Sequence, residues 1–407
     1  GGLTAGRTIA GDAAGDRLGL SLAAAGDVNG DGFSDVIAGA PGYDGPGGAN
    51  AGWATVYHGS AAAPGGNWGP EGRVARTAGD VDGDGYSDVI IYDWPVVSEA
   101  TSHRVNLYYG SETALSHGWH YRSETGFRLT VGTAGDVNAD GYADIFVSDA
   151  DAVRVFYGSA TGLTPSEDPY HPTPDWSAAV CGGAGCAVGT AGDVNADGYS
   201  DLIVGRKDTN TAWVYYGSPT GLAIAADWTR TGSGGYGGAV GTAGDVNGDG
   251  FADVVVAADS AVYAYYGSIA GLTSGAPDLS FTAQGTSSYP CTAATAGDVD
   301  GDGYADVVVG APYTNNRVGK VYLFYGSPSG LDAPLVELMG GAVGDEFGTS
   351  VATAGDVNGD GYADVLVGAP RFEYDDRGKA YLYYGSSSGL RADQQPWTQT
   401  GTDFQNF

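Results

Sequence analysis

Ala354-Gly355-Asp356-Val357-Asn358-Gly359-Asp360-Gly361-Tyr362-Ala363-Asp364, followed by Val365-Leu366-Val367, decides the fold, because the chain writes close variants of it seven times. The lead aspartates are Asp27, Asp80, Asp136, Asp193, Asp245, Asp298 and Asp356, spaced 53, 56, 57, 52, 53 and 58 residues apart. Self-similarity at such a period marks a propeller or a solenoid, where each repeat is one supersecondary unit that buries its apolar faces against its neighbours.

Four strand-like segments surround each lead aspartate. A run of small residues precedes the loop, as in Ser350-Val351-Ala352-Thr353-Ala354, and its low volume suits the crowded inner strand of a radial array. A short β-branched run follows, such as Val36-Ile37-Ala38 or Val254-Val255-Val256, and reads as a strand buried on both faces. A third segment ends in aromatic-Gly-Ser, as in Tyr108-Tyr109-Gly110-Ser111 and Phe324-Tyr325-Gly326-Ser327. The fourth carries Trp68, Trp119, Trp176, Trp228 or Trp397 in five repeats. Recurrence at one repeat position assigns these indoles to packing between repeats rather than to sugar stacking.

Four strands in seven units predict an all-β, seven-bladed β-propeller forming one domain over residues 1–407. Its blades centre on loops 27–35, 80–88, 136–144, 193–201, 245–253, 298–306 and 356–364. One strand is in excess: Arg7-Thr8-Ile9-Ala10 and Pro396-Trp397-Thr398-Gln399-Thr400 both read as a closing fourth strand. Either could complete the last blade, and an open piece of a longer array is the rival reading.

Composition agrees with this picture. Glycine reaches 72 of 407 residues, but it falls at fixed repeat positions beside Val, Ile and Tyr, which favours tight turns over a disordered linker. The net charge of −32 is concentrated in the repeat, whose loops hold 23 of the 49 acidic residues. With only 17 Lys and Arg, no basic face exists for nucleic acid. No apolar run approaches the roughly 18 residues of a membrane-spanning helix. Gly1-Gly2-Leu3-Thr4 shows no basic-then-apolar leader, so any secretion signal lies outside this numbering. Cys181 and Cys186 sit five apart in a Gly-rich hairpin, where a local disulfide or two buried thiols both fit, and Cys291 reads as a free buried thiol.

The loop itself reads as a cation site. Side-chain oxygens at positions 1, 3, 5 and 9 and the backbone carbonyl at position 7 can converge, with glycine at position 6 permitting the turn. The predicted ligands are Asp27, Asn29, Asp31, Phe33 and Asp35; Asp80, Asp82, Asp84, Tyr86 and Asp88; Asp136, Asn138, Asp140, Tyr142 and Asp144; and Asp193, Asn195, Asp197, Tyr199 and Asp201. The remaining sets are Asp245, Asn247, Asp249, Phe251 and Asp253; Asp298, Asp300, Asp302, Tyr304 and Asp306; and Asp356, Asn358, Asp360, Tyr362 and Asp364. All-oxygen donors select Ca²⁺, up to seven of them, over Mg²⁺ with its stricter octahedron. An EF-hand is excluded, because its bidentate glutamate at position 12 is replaced by Ala38, Ile91, Val147, Val204, Val256, Val309 and Val367.

On these residues the chain resembles the FG-GAP repeats of the integrin α-subunit propeller and its bacterial relatives. The seventh unit matches throughout, with Phe347-Gly348, the Asp loop and Gly368-Ala369-Pro370. The first has Leu18-Gly19 and Gly39-Ala40-Pro41, and the sixth has Tyr289-Pro290 and Gly310-Ala311-Pro312. Units two to five replace Gly-Ala-Pro by Tyr92-Asp93-Trp94, Ser148-Asp149-Ala150, Gly205-Arg206-Lys207 and Ala257-Ala258-Asp259. The resemblance implies Ca²⁺ held between the first and second strands of each blade, away from the ligand-binding face. Integrin propellers keep the loop in only some blades, whereas all seven are intact here.

Loops between the second and third strands should open on the opposite face. Those of units six, seven, one and two are long and adjoin one another once the ring closes, with Tyr43, Trp94, Tyr313, Phe372 and Tyr374 as candidate ligand-surface aromatics. No catalytic constellation stands out: His117-Gly118-Trp119-His120 falls on an outer strand, and the carboxylate pairs sit in the cation loops. The expectation is therefore a non-enzymatic, calcium-stabilised adhesion or binding propeller, secreted or at the cell surface, recognising an extracellular protein or glycan as a monomeric domain of a larger protein. A structural or accessory repeat domain is the alternative, and a propeller lyase or hydrolase a more distant one.

Overall fold

The computed structural model describes residues 8–10, 13–44, 50–61, 65–69, 72–93, 103–123, 129–164, 171–183, 185–283, 291–371 and 376–390. Seven four-stranded antiparallel sheets follow one another along the chain. In blade one the strands are Ser21–Gly26, Asp35–Ala40, Trp53–His58 and Gly65–Trp68, in that spatial order from the axis outward. First strands of successive blades touch in cyclic order, and the seventh (Ser350–Gly355) touches the first, so the ring is closed.

The N-terminal strand closes it. Thr8–Ala10 pairs antiparallel with Lys379–Tyr383 of blade seven, with Ile9 opposite Ala380. The chain then enters blade one along the same edge: Leu18 bridges Gly378, and the Ser350 hydroxyl donates to the Gly19 carbonyl at 2.7 Å. Of the two candidate closing strands, the one at the N-terminus occupies the edge; Trp397 lies outside the described residues. Closure completes the seventh blade, so that the edges left are the short outermost strands of each blade.

The second strands are buried on both faces, which is why they read as unbroken apolar runs: Val89, Ile90 and Ile91 are inaccessible to solvent. Between blades the outer aromatic of one sheet meets the third-strand aromatic of the next. Trp119 lies 5.0 Å from Phe156, Trp176 4.9 Å from Tyr215, Trp228 5.1 Å from Tyr265 and Phe281 5.0 Å from Phe324. The Trp176 and Trp228 indoles also donate to the carbonyls of Ala223 and Thr273 in the following blade, both at 2.9 Å. Trp119, Trp176 and Trp228 are inter-blade packing, as their recurrence suggests; the side chains of Trp68 and Trp397 lie outside the described residues. Cys181 and Cys186 form a disulfide, with Cα atoms 5.2 Å apart, and Cys291 is a free, buried thiol whose ionisation burial pushes up to about 11.

Candidate metal centre

Each loop joins a first strand, which ends in a register shift, to a second strand that opens on the position-9 aspartate. The shift places Gly355 at φ +68°, where an added Cβ would strike the Ser34 side chain of the next blade. Gly361 at position 6 has open space around it, and its φ of +90° is what demands glycine.

The loop is held from inside by its own carboxylates. In the seventh, Asp356 Oδ1 accepts the N–H groups of Gly359 (2.7 Å) and Asp360 (3.1 Å), and its Oδ2 that of Gly361 (2.8 Å). Asn358 accepts the Asp360 N–H at 2.9 Å, and Asp360 accepts that of Tyr362 at 3.1 Å. Side-chain-to-backbone bonds of this kind fold a short acidic segment into a turn without help from a helix or ladder.

Position 9 ties three pieces of chain together. Asp364 is inaccessible to solvent; its Oδ2 accepts the Val357 N–H at 3.1 Å, and its Oδ1 the Gly385 N–H at 2.9 Å. The same pair of bonds recurs at Asp35, Asp88, Asp144, Asp201, Asp253 and Asp306. Burial raises the carboxyl pKa of Asp88, Asp144, Asp201, Asp253 and Asp306 to about 7 and of Asp364 to about 8, against the opposing effect of the backbone donors.

The donor set fits a hard cation. Carboxylate oxygens of Asp80, Asp82 and Asp88 lie within 4.8 Å of one another, as do those of Asp298, Asp300 and Asp306. Asp300 Oδ1 is buried without a hydrogen-bond partner, and burial, followed by the neighbouring Asp302, raises the Asp300 pKa. A buried, unpartnered oxygen on a carboxylate clustered with two others is destabilising unless positive charge enters among them. In the other five loops Asn29, Asn138, Asn195, Asn247 and Asn358 take the place of the third-position carboxylate.

One loop differs. Where the other third strands carry Tyr before Gly-Ser, blade one has His58, whose Nδ1 lies 3.2 Å from Asp35 Oδ2. That hydrogen bond raises the His58 pKa. In four other blades this tyrosine is an inter-blade latch: the hydroxyls of Tyr109, Tyr216, Tyr266 and Tyr325 accept the N–H groups of Leu163, Leu272, Leu331 and Leu390 in the following blade. The Gly-Leu that follows five of the seven Gly-Ser pairs is the sequence signal for this latch.

On the opposite face, Tyr43 is half-buried and packs on Trp53 at 5.8 Å, and Tyr313 is half-buried with the Arg317 guanidinium 5.3 Å from its ring. Trp94, Phe372 and Tyr374 lie outside the described residues. His117 faces Asn106 at 3.3 Å and stacks on His120 at 5.9 Å on the outer strand Ser116–Ser123.

Two family models match the chain. An FG-GAP-like repeat model covers residues 80–147, 193–256 and 245–309, and an FG-GAP repeat model covers 18–57 and 347–383. Curated relatives include integrin alpha-8 of Gallus gallus, 38% identical over 28% of this chain and 12% of that protein. Human integrin alpha-IIb is 41% identical over 23% of this chain and 10% of that protein. Integrin alpha-4 of Xenopus laevis is 28% identical over 56% of this chain and 24% of that protein. The matches thus span about a tenth to a quarter of these relatives' lengths. With the repeats, the closed ring and the loop geometry in agreement, the chain belongs to the FG-GAP repeat family and is an integrin α-like seven-bladed β-propeller.

Proposed function

We infer that this propeller is a calcium-stapled, non-enzymatic recognition module of an extracellular or cell-surface protein, binding a protein or glycan through loops on the face opposite the cation loops. The observation that carries the cation half of this reading is the position-9 aspartate. It joins the loop, the second strand and the third strand at the place where carboxylates converge, so a cation there would tie together every element of a blade's inner half. Ca²⁺ suits the all-oxygen donor set, taking six to eight ligands in flexible geometry. Bound there, it would neutralise the converging carboxylates; the chain's own contribution is to hold positions 1, 3, 5, 7 and 9 in place by backbone hydrogen bonds.

The binding half of the reading rests on loop length and placement. Rigid scaffolds present partners with their variable loops, and the long ones cluster on blades six, seven, one and two. Integrin α relatives support adhesion as the general role. A glycan and matrix-protein array, probed with and without chelator, tests the reading. Calcium-dependent capture of one ligand class supports it, and the absence of any capture favours a spacer or accessory domain in a larger protein.

A further inference from the structure

We propose that the seven cation loops fill as a coupled ring, each loop being held in its binding geometry by the loop that follows it. The proposal rests on the reading of these loops as cation sites and adds to it a relation between them.

Two contacts join every loop to the next, and a third joins five of the seven. The N–H of position 8 donates to the lead-aspartate carbonyl of the preceding loop: Ser87 to Asp27 at 2.9 Å, Ala143 to Asp80 at 2.8 Å, Ala305 to Asp245 at 2.9 Å and Ala363 to Asp298 at 2.8 Å. The same bond recurs at the other three junctions, including Ser34 to Asp356 at 3.0 Å, where the ring closes. The serine of each Gly-Ser donates to the carbonyl of position 2 in the preceding loop, as Ser327 does to Val246 at 3.0 Å. Finally, the position-7 ring lies over the position-4 glycine of the preceding loop. A Cβ on Gly30 would stand 2.6 Å from the Tyr86 ring, on Gly248 2.5 Å from Tyr304, and on Gly359 2.6 Å from Phe33.

The first and third of these contacts come from the ligand segment itself. Position 7 offers its carbonyl to its own site and its ring to the neighbour. Position 8 clamps the neighbour's first ligand residue, and position 9 is the buried carboxylate. Without a cation, converging carboxylates repel and loosen segment 7–9, and the clamp on the preceding loop loosens with it. A cation that orders one segment therefore meets part of the ordering cost of the loop before it, and coupling between sites is reciprocal. Because Phe33 and Ser34 hold the seventh loop, no site lies at an end. Ala139 and Ala196 occupy position 4 in the third and fourth loops, so the ring-on-glycine contact has no counterpart at those two junctions, and the coupling is weakest there.

The test uses the full chain with CaCl₂, reading total binding by titration calorimetry and each loop by hydrogen exchange across a calcium series. The N–H groups of Gly248, Asp249 and Gly250, all bonded to Asp245, report the fifth loop. Asp302→Ala disables the sixth site. Coupling predicts that it raises the calcium needed to protect the fifth loop by about fivefold, with a smaller effect on the second. Tyr304→Ala, which removes no side-chain ligand, should shift the fifth loop similarly, and Tyr304→Phe should not. The proposal is overturned if Asp302→Ala lowers the stoichiometry by one while the fifth loop's midpoint is unchanged. Absence of calcium binding by the unmodified chain would overturn the cation reading as well. Should Tyr304→Ala fail to fold, Asp302→Ala decides.

Discussion

The backbone N–H of Ser34 donates to the carbonyl of Asp356 at 3.0 Å, so the first loop of the chain holds the last. Together with Thr8–Ala10 on the edge of Lys379–Tyr383, it makes the molecule a ring at both its inner and outer radius. The stability of any one blade is therefore not a local property.

Removal of calcium should lower the melting temperature by many degrees. A ligand present at 100 times its dissociation constant adds about 2.7 kcal/mol per site when it binds only the native state, and several sites add up. Calorimetric melts in excess EGTA and in millimolar calcium check this; coincident melts would defeat the staple role.

Positions 5 and 9 should separate when tested by substitution. Asp360→Ala removes a proposed ligand and two exposed loop bonds, those from the Tyr362 N–H and the Asn358 side-chain amide, so its cost should be large in calcium and small in EGTA. Asp364→Ala also strands the N–H groups of Val357 and Gly385 in the interior. At about 1–3 kcal/mol for each unmet buried donor, it should destabilise the chelated protein as well, by about 3 kcal/mol. Urea melts of both variants, with and without calcium, measure the difference.

The pH dependence should change sign with calcium. The folded pKa of the position-9 carboxyls of blades two to seven lies near 7, or 8 at Asp364, above that of an unfolded aspartate, so the metal-free native state binds more protons than the unfolded chain. Its stability therefore rises as pH falls from 8 toward 5. Calcium needs the ionised form, so the gain in melting temperature on adding it should be larger at pH 8 than at pH 5.5. An equal gain at both values would contradict the burial of these carboxyls.

Deletion of residues 1–12 should open blade seven. The edge of Lys379–Tyr383 then faces solvent with unpaired backbone groups, a template for pairing with another chain. A lower melting temperature and a shift toward dimers or aggregates on size exclusion are expected; a stable monomer would show that the closing strand is dispensable.

Trp228→Ala should cost about 3–5 kcal/mol, because it empties a buried volume against Tyr265 and strands the Thr273 carbonyl. Trp228→Phe keeps the ring contact and should recover most of the loss. Denaturant midpoints of the two variants compare them.

Much of this was legible in one dimension. Seven copies of the Asp loop set the blade number, and the apolar residues at position 12 separated a strand from an EF-hand. The recurrent tryptophans identified the packing between blades. All of these are local patterns, repeated until chance is excluded, and the alternation of small, branched and aromatic runs encodes burial directly. The sequence also placed Tyr43 and Tyr313 on the 2–3 loops, but their half-buried packing against Trp53 and Arg317 depends on neighbours that no period predicts.

The sequence alone therefore determined the unit: four strands and an acidic loop. The tertiary structure decided how units join. Two terminal segments had the right character to close the ring, and only contact with Lys379–Tyr383 selects the first. The Cys181–Cys186 bridge, the His58 contact with Asp35 and the clamp of Ser34 on Asp356 were equally open. For the closing strand and the Ser34 clamp the physical reason is the same. A repeat specifies its interior through its own residues, whereas its junctions form between side chains and backbone groups that meet only when the ring brings them together.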